Sequence, residues 1–343
     1  IWNPKLHLIK NLYCRDNILF NSSMQVDNSN SDAEIKFIPE NNNCLFTTFE
    51  TSINSNVTLS GLVITDTLKL NGDLKIDSLK SLFIAAGTFD SNSDSIFVGR
   101  FATVGNQPNL ILLNDSEIEL NYSLDFTTLT TLTSGTSHIY LNSTENGAYF
   151  NGASLTYHDV TIESTTSDTV TNLLGSNSFN DLTLIKKLKL RLEGGQTQTV
   201  MGNIIAIGDC VDSIFISSQT NGVSTTINLT TPGNVECISS KDITITTSNL
   251  NALFSSNNIN NSGLWNFDST PHSTALFNTN YEQCLGNVTT FTNTSTSYQG
   301  LFTGLTFDWD LGNNTNSTLT NPTLTYATAK KVYVSLTTTY SNF

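Results

Sequence analysis

Apolar residues recur along this chain in short alternating runs rather than at helical spacing. Examples are NVTLSGLVI (56–64), GDLKIDSLKSLFI (72–84), HDVTIES (158–164), NDLTLIKKLKLRL (180–192) and KDITITTS (241–248). Each run is bounded by Asn, Gly, Ser or Asp, the residues that end strands and make turns. No sustained 3.6-residue period and no capping box leading into an apolar run is found. The pattern predicts an all-β chain.

One tetrapeptide recurs within the runs: Asp, aliphatic, Thr or Lys, aliphatic. It occurs at Asp73-Leu74-Lys75-Ile76, Asp159-Val160-Thr161-Ile162, Asp181-Leu182-Thr183-Leu184 and Asp242-Ile243-Thr244-Ile245. The starts differ by near-multiples of a unit of roughly 20–22 residues, which is the range of solenoid repeats. A parallel β-helix over 1–267 is therefore expected, with Leu182 and Leu184 stacked on Val160 and Ile162 and with Thr, Ser and Asn facing out. The rival layout, a row of β-sandwiches, predicts a longer period that is not seen before residue 270.

Residues 208–267 read as the closing unit of the solenoid. Cys210 and Cys237 lie about one coil plus a small loop apart, so stacking brings them within disulfide reach; two buried free thiols are the alternative. The same logic reaches Cys14 and Cys44. Trp265, in Gly263-Leu264-Trp265-Asn266-Phe267, is expected to close the open end of the core. Residues 268–278 then read as a linker.

Residues 279–343 have a different character. Leu305, Phe307, Trp309 and Leu311 alternate with Thr306, Asp308 and Asp310, as in a half-buried strand. Gly312-Asn313-Asn314 supplies a turn, Asn321-Pro322 another, and Tyr326 follows. Val332, Val334 and Leu336 form a last alternating strand. Trp309 is expected as a core anchor. Asp308 and Asp310 sit on the solvent side, which does not suit carboxylates facing one another across a cleft.

Composition narrows the function. The chain has 343 residues, of which 13% are charged, with 15 basic residues and a formal net charge of −14. Phosphate binding needs clustered Lys and Arg, and the densest basic group, Lys186 to Arg191, looks like strand decoration. Nucleic acid and anionic membrane surfaces are poor partners. No apolar stretch approaches the ~18 residues of a membrane span. The start at Ile1-Trp2-Asn3-Pro4 suggests a processed chain or part of a longer one. The histidines, His7, His138, His158 and His272, are scattered, and no triad, phosphate loop or zinc spacing is visible. Asp90, Asp94 and Asp115-Ser116-Glu117 come nearest to an acidic cluster. A polysaccharide-degrading β-helix would need such a cluster to converge. Asp90-Ser91-Asn92-Ser93-Asp94 offers oxygen ligands of the kind Ca²⁺ takes, without the glycine and bidentate Glu of an EF-hand. No other cofactor is indicated.

Two resemblances add to this. The stretch 208–267, through Cys210, Asp242, Gly263 and Trp265, resembles a segment common in large secreted surface proteins of Bacteroidota. That likeness implies type IX secretion and an adhesin or surface filament. Residues 279–343 resemble the PKD domain, an Ig-like β-sandwich. Its hallmark strand and turn match Trp309-Asp310-Leu311-Gly312-Asn313-Asn314, followed by Asn321-Pro322, Tyr326 and the Val332-Val334-Leu336 strand. Leu311, Asn313-Asn314, Lys330-Lys331 and Thr338 depart from the pattern, which puts contacts of the usual turn in doubt. The resemblance also implies a disulfide partner for Cys284 beyond Phe343. Together these imply a non-catalytic extracellular structural or adhesive module. Its partners would be other modules of the same chain, sister chains in a filament, or a cell-surface protein or glycan. A carbohydrate-active β-helix enzyme, or its glycan-binding accessory, is the alternative.

Overall fold

The computed structural model of the protein describes residues 5–8, 10–20, 25–27, 33–39, 43–48, 51–144, 146–165, 169–185, 187–208, 213–253, 257–268, 273–280, 284–297 and 305–340. Every regular element among them is a β-strand; none is a helix, so none is a helix long and apolar enough to cross a membrane. The chain divides into two compact units, 1–268 and 269–343.

The first unit is a parallel β-solenoid whose coils each visit three faces. Face A begins at Lys5–His7 and Gln25–Asp27. It runs through Leu74–Ile76, His138–Ser143 and the second half of Thr156–Ser164 to the end of Ser262–Asp268. Face B runs from Leu12–Cys14 through Asn56–Ser60 and Tyr149–Asn151 to Asn257–Ile259. Face C runs from Ile18–Leu19 to Thr130–Thr133 and resumes at Thr156. All of these pairings are parallel. On face A, Ile96, Ile118, Ile139, Val160, Leu182 and Ile204 are successive partners, so one coil takes 21 or 22 residues.

The alternation explains the stack. With a side-chain period of two, Val160 lies on Leu182 and Ile162 on Leu184, all at most 2% exposed, while Thr161 pairs with Thr183 outside. Identical chemistry above and below lets β-branched and leucine side chains pack layer on layer. Rings fill the wider interior: Phe101 lies edge-on to Phe89 at 5.6 Å and to Phe126 at 5.2 Å. Buried polar groups bond one coil away. Ser116 Oγ and Ser91 Oγ are 2.8 Å apart, and Asn177 Nδ2 donates to Gln198 Oε1 at 3.2 Å. Such cross-coil bonds offset the desolvation cost of burying these groups; Ser123 Oγ and Thr171 Oγ1 are buried without a hydrogen-bond partner among the described residues.

Three expectations require correction. The tetrapeptide at Asp242 lies on face C, where Ile243 pairs with Thr225, and not on face A with the other three. Coils there are unequal: 29 residues separate the partners Ile205 and Asn234, and only 17 separate Asn234 and Asn251. Counting multiples of one period fails across such a stretch. Cys14 and Cys44 are buried free thiols. Cys14 pairs with Phe37 on face B and Cys44 with Leu68 on face C, so stacking never superimposes them. Finally, residues 273–279, read mostly as linker, carry strands Ser273–Thr274 and Phe277–Thr279.

Cys237 is buried and disulfide-bonded, whereas Cys210 lies outside the described residues. The backbone bonds Gly208 N–H to Glu236 O at 3.0 Å and Ile214 N–H to Cys237 O at 3.1 Å bracket that segment. In the last strand, Trp265 and Phe267 pack on the core and stack at 4.8 Å. The Trp265 indole donates to Ile243 O at 3.2 Å.

The second unit holds two three-stranded antiparallel sheets and a two-stranded ribbon. Leu305, Phe307, Trp309 and Leu311 are buried and their alternates exposed. Trp309 is fully buried, meets Phe277 edge-on at 5.0 Å, and donates its indole N–H to Leu319 O at 2.9 Å. Asp310 Oδ1 caps the turn by accepting from Gly312 N–H at 2.8 Å. Pro322 O accepts from Phe291 N–H at 3.0 Å. The Tyr326 hydroxyl reaches back to Leu311 O at 2.7 Å. The last strand is Ser335–Tyr340; Val332 and Val334 precede it, half-buried. Cys284 is exposed and free.

Candidate functional site: the outward side of face A

Register alone assembles the candidate site. Lys75, Phe97, Glu119, Tyr140, Thr161 and Thr183 are successive partners on the outward side of face A. Beside them runs a second outward column, Glu117, His138, Asp159 and Asp181. The middle coils enclose a shallow groove of about 460 Å³, lined by Phe97 and Tyr140 with Glu117, Glu119, Asn142 and Glu163 among its walls.

Several groups in it are held in place. The His138 ring stacks on Tyr140 at 3.9 Å and 19°, and its Nε2 lies 2.8 Å from Thr161 Oγ1. Burial holds the His138 pKa below the ordinary imidazole value, outweighing the opposite pull of Asp159 and Glu117. Burial, aided by those same carboxylates, raises the Tyr140 phenol. At neutral pH the pair is therefore an uncharged imidazole on an uncharged phenol. Asn142 Nδ2 donates to Glu119 Oε1 at 3.0 Å, setting a donor and an acceptor side by side. Lys75 lies over Phe97, 5.8 Å from the ring centre.

No family model, curated protein or solved structure matches this chain. What the site can do must be read from its own groups.

A second polar cluster lies on face B. Asp125 accepts from Arg100, from the Tyr149 hydroxyl at 3.0 Å and from Asn151 Nδ2 at 3.0 Å. The guanidinium sits about equally near the rings of Phe83 and Tyr149, at 5.8 and 6.0 Å. These bonds join three consecutive coils, and the cluster clamps the stack.

The acids singled out in the sequence do not converge. Asp90 is on face C, where it accepts from Asn92 N–H at 2.8 Å and Asn114 Nδ2 at 3.0 Å. Lys69 Nζ lies 3.5 Å from it. Asp94 Oδ2 accepts from Gly72 N–H at 2.7 Å, one coil back. Within the Asp90–Asp94 loop, Ser91 turns inward and donates to Leu113 O at 2.9 Å, so the loop's oxygens do not face a common point. No group of metal-ligating side chains is found among the described residues. Glu117 alone of the acids named earlier lines the face A groove. The rest of that groove was missed, because Phe97, Glu119 and Tyr140 lie a coil apart and no local motif links them. The signal available was the coil length itself, once the outward positions are written one above another.

Proposed function

We propose that this chain is a non-catalytic structural and adhesive module of a long bacterial cell-surface protein. The single observation that carries the reading is how the solenoid uses its corner carboxylates. Asp73 accepts from Ser95 N–H at 3.0 Å and Asp181 from Asn203 N–H at 2.6 Å, each one coil on. Asp94 and Asp242 reach one coil back, to Gly72 N–H at 2.7 Å and Gly222 N–H at 3.0 Å. Asp73, Asp181 and Asp242 of the recurring tetrapeptide, together with Asp94, are thus coil-to-coil latches, and Asp159 accepts from the side-chain amide of Asn180 one coil on at 3.1 Å. Charge-assisted bonds of this kind are stronger than neutral ones, and they repeat along the stack, as a load-carrying rod requires. The second unit supports a PKD-like reading through the buried Trp309, the Asp310–Gly312 turn and the Tyr326–Leu311 bond. Secretion by the type IX route, a Bacteroidota source, a Cys210–Cys237 bridge and a partner for Cys284 outside this chain belong to the same proposal.

Force spectroscopy on the solenoid, tethered near residues 5 and 268, tests it. Extension in successive releases of one to a few coils is expected. Release of reducing ends from a polysaccharide panel, abolished in Glu117→Gln or Glu163→Gln, would instead make the chain an enzyme. The glycan-binding alternative draws on a separate observation, the aromatic and acidic groove of face A.

A further inference from the structure

The geometry points to an uncharged oligosaccharide as the ligand of the face A groove, laid along the stacking direction across the coils of Phe97, Glu119, Tyr140 and Thr161. The inference rests on the reading of this chain as an adhesive module with a glycan-contacting face.

Spacing comes first. Outward side chains project from strands about 4.8 Å apart, close to the length of one pyranose unit, so successive sugars meet successive coils. Chemistry comes next. A pyranose presents C–H faces and hydroxyl edges. Phe97 and Tyr140 supply rings for the faces, two coils apart. Tyr140 is pinned by the His138 stack, and His138 by Thr161, so little side-chain entropy remains to be lost on binding. The Asn142–Glu119 pair offers a donor and an acceptor 3.0 Å apart, which matches a vicinal diol. Glu117 and Glu163 add acceptors along the walls, and carboxylates make the stronger, charge-assisted bonds to hydroxyls.

Charge selects among glycans. None of the groove's lining residues is basic; Lys75 stands over Phe97 at one end, against three glutamates in the lining and a formal −14 over the chain. Uronate and sulfated polymers are repelled.

Calorimetric titration of the whole chain with the hexaoses of cellulose, mannan, xylan, laminarin and chitin tests the inference, with polygalacturonate and oligolysine as counter-probes. At least one neutral hexaose should bind. Tyr140→Ala should weaken it by about tenfold or more, and Glu163→Gln by a smaller factor. Thr183→Ala, one coil beyond the contacts, should leave it unchanged. Melting curves check the fold of each variant; if Tyr140→Ala does not fold, Phe97→Ala and Glu163→Gln carry the comparison. The inference is overturned if no neutral hexaose binds, if binding survives the groove variants, or if oligolysine or polygalacturonate binds the groove in preference. Failure here leaves the force measurement, and with it the scaffold reading, untouched. New reducing ends during the titration would remove the non-catalytic reading while leaving the binding site in place.

Discussion

Replacing Leu182 by Ala probes the stack at its centre. Leu182 is 2% exposed and lies between Val160 one coil before and Ile204 one coil after. Truncation leaves a void between two aliphatic neighbours that are fixed by their own backbone ladders and cannot close on it. The expected cost is about 2–5 kcal/mol. Thr183, next in sequence but pointing outward, should cost no more than about 0.5 kcal/mol as Ala. In a solenoid each coil touches only its neighbours, so the loss should also be local. Hydrogen exchange followed by mass spectrometry reads this directly. Amides of Val160–Ser164 and Ile204–Ala206 should lose protection, while those of Leu74–Ile76, four coils away from Val160, keep theirs. Equal losses at 74–76 and 204–206, or a larger effect from Thr183→Ala than from Leu182→Ala, would refute the assigned stacking and its inward–outward register.

Gly312→Ala should destabilise the second unit by about 1–3 kcal/mol, because φ is +71° there and a Cβ would come within 2.1 Å of Val332 Cγ1; chemical denaturation with Trp309 fluorescence measures it, and an unchanged midpoint would contradict the turn. Alkylation of the native chain should mark Cys284 rapidly and leave Cys14 and Cys44 unlabelled until unfolding, since both are buried and burial raises the Cys14 thiol to about 11, away from the reactive thiolate; comparable labelling of all three, read by peptide mass, would contradict this. His138 gives a pH signature. Its folded pKa lies below the ordinary value, with Asp159, Glu117 and His158 around it, so between the folded and unfolded values the unfolded chain binds more protons and stability rises with pH. The melting temperature of the wild type relative to His138→Gln should therefore climb as pH is raised through about 6.5 and level off above it; a fall would reverse the sign of the shift.

How much could be read in advance differs by layer. The interior of face A was legible because alternation and coil length act on the same residues: Asp159 pairs with Asp181 and Val160 with Leu182, as the repeated tetrapeptide implies. Leu74 joins the same column through Ile96, Ile118 and Ile139. The Asp242 tetrapeptide looked alike but sits on another face, because a period carries position only while coils stay equal in length. Trp309 was legible as an anchor, since its neighbours alternate and a Gly-Asn-Asn turn follows. The first strands of that unit were not. Ser273–Thr274 pairs with Thr296–Ser297, and Phe277–Thr279 with Phe291–Asn293; short polar edges take their conformation from the partner strand. The groove was the least legible part. Its residues obey no hydrophobic pattern, and a one-coil error in stacking would have placed each beside the wrong neighbour.

The division of labour between corners and faces bears on where function can lie. Corner aspartates bond backbone N–H groups of the adjacent coil, and inward side chains make the core. Outward positions along the middle column of face A do neither, and Thr161 and Thr183 fill two of them. Phe97 and Tyr140 occupy the same column. A half-buried ring on the outer side gains less from burial than an inward one, and the three glutamates lining the groove add mutual repulsion. Neither choice adds to the inward core. Such departures from local consistency are expected at functional sites, and this one falls where the ligand groove is proposed.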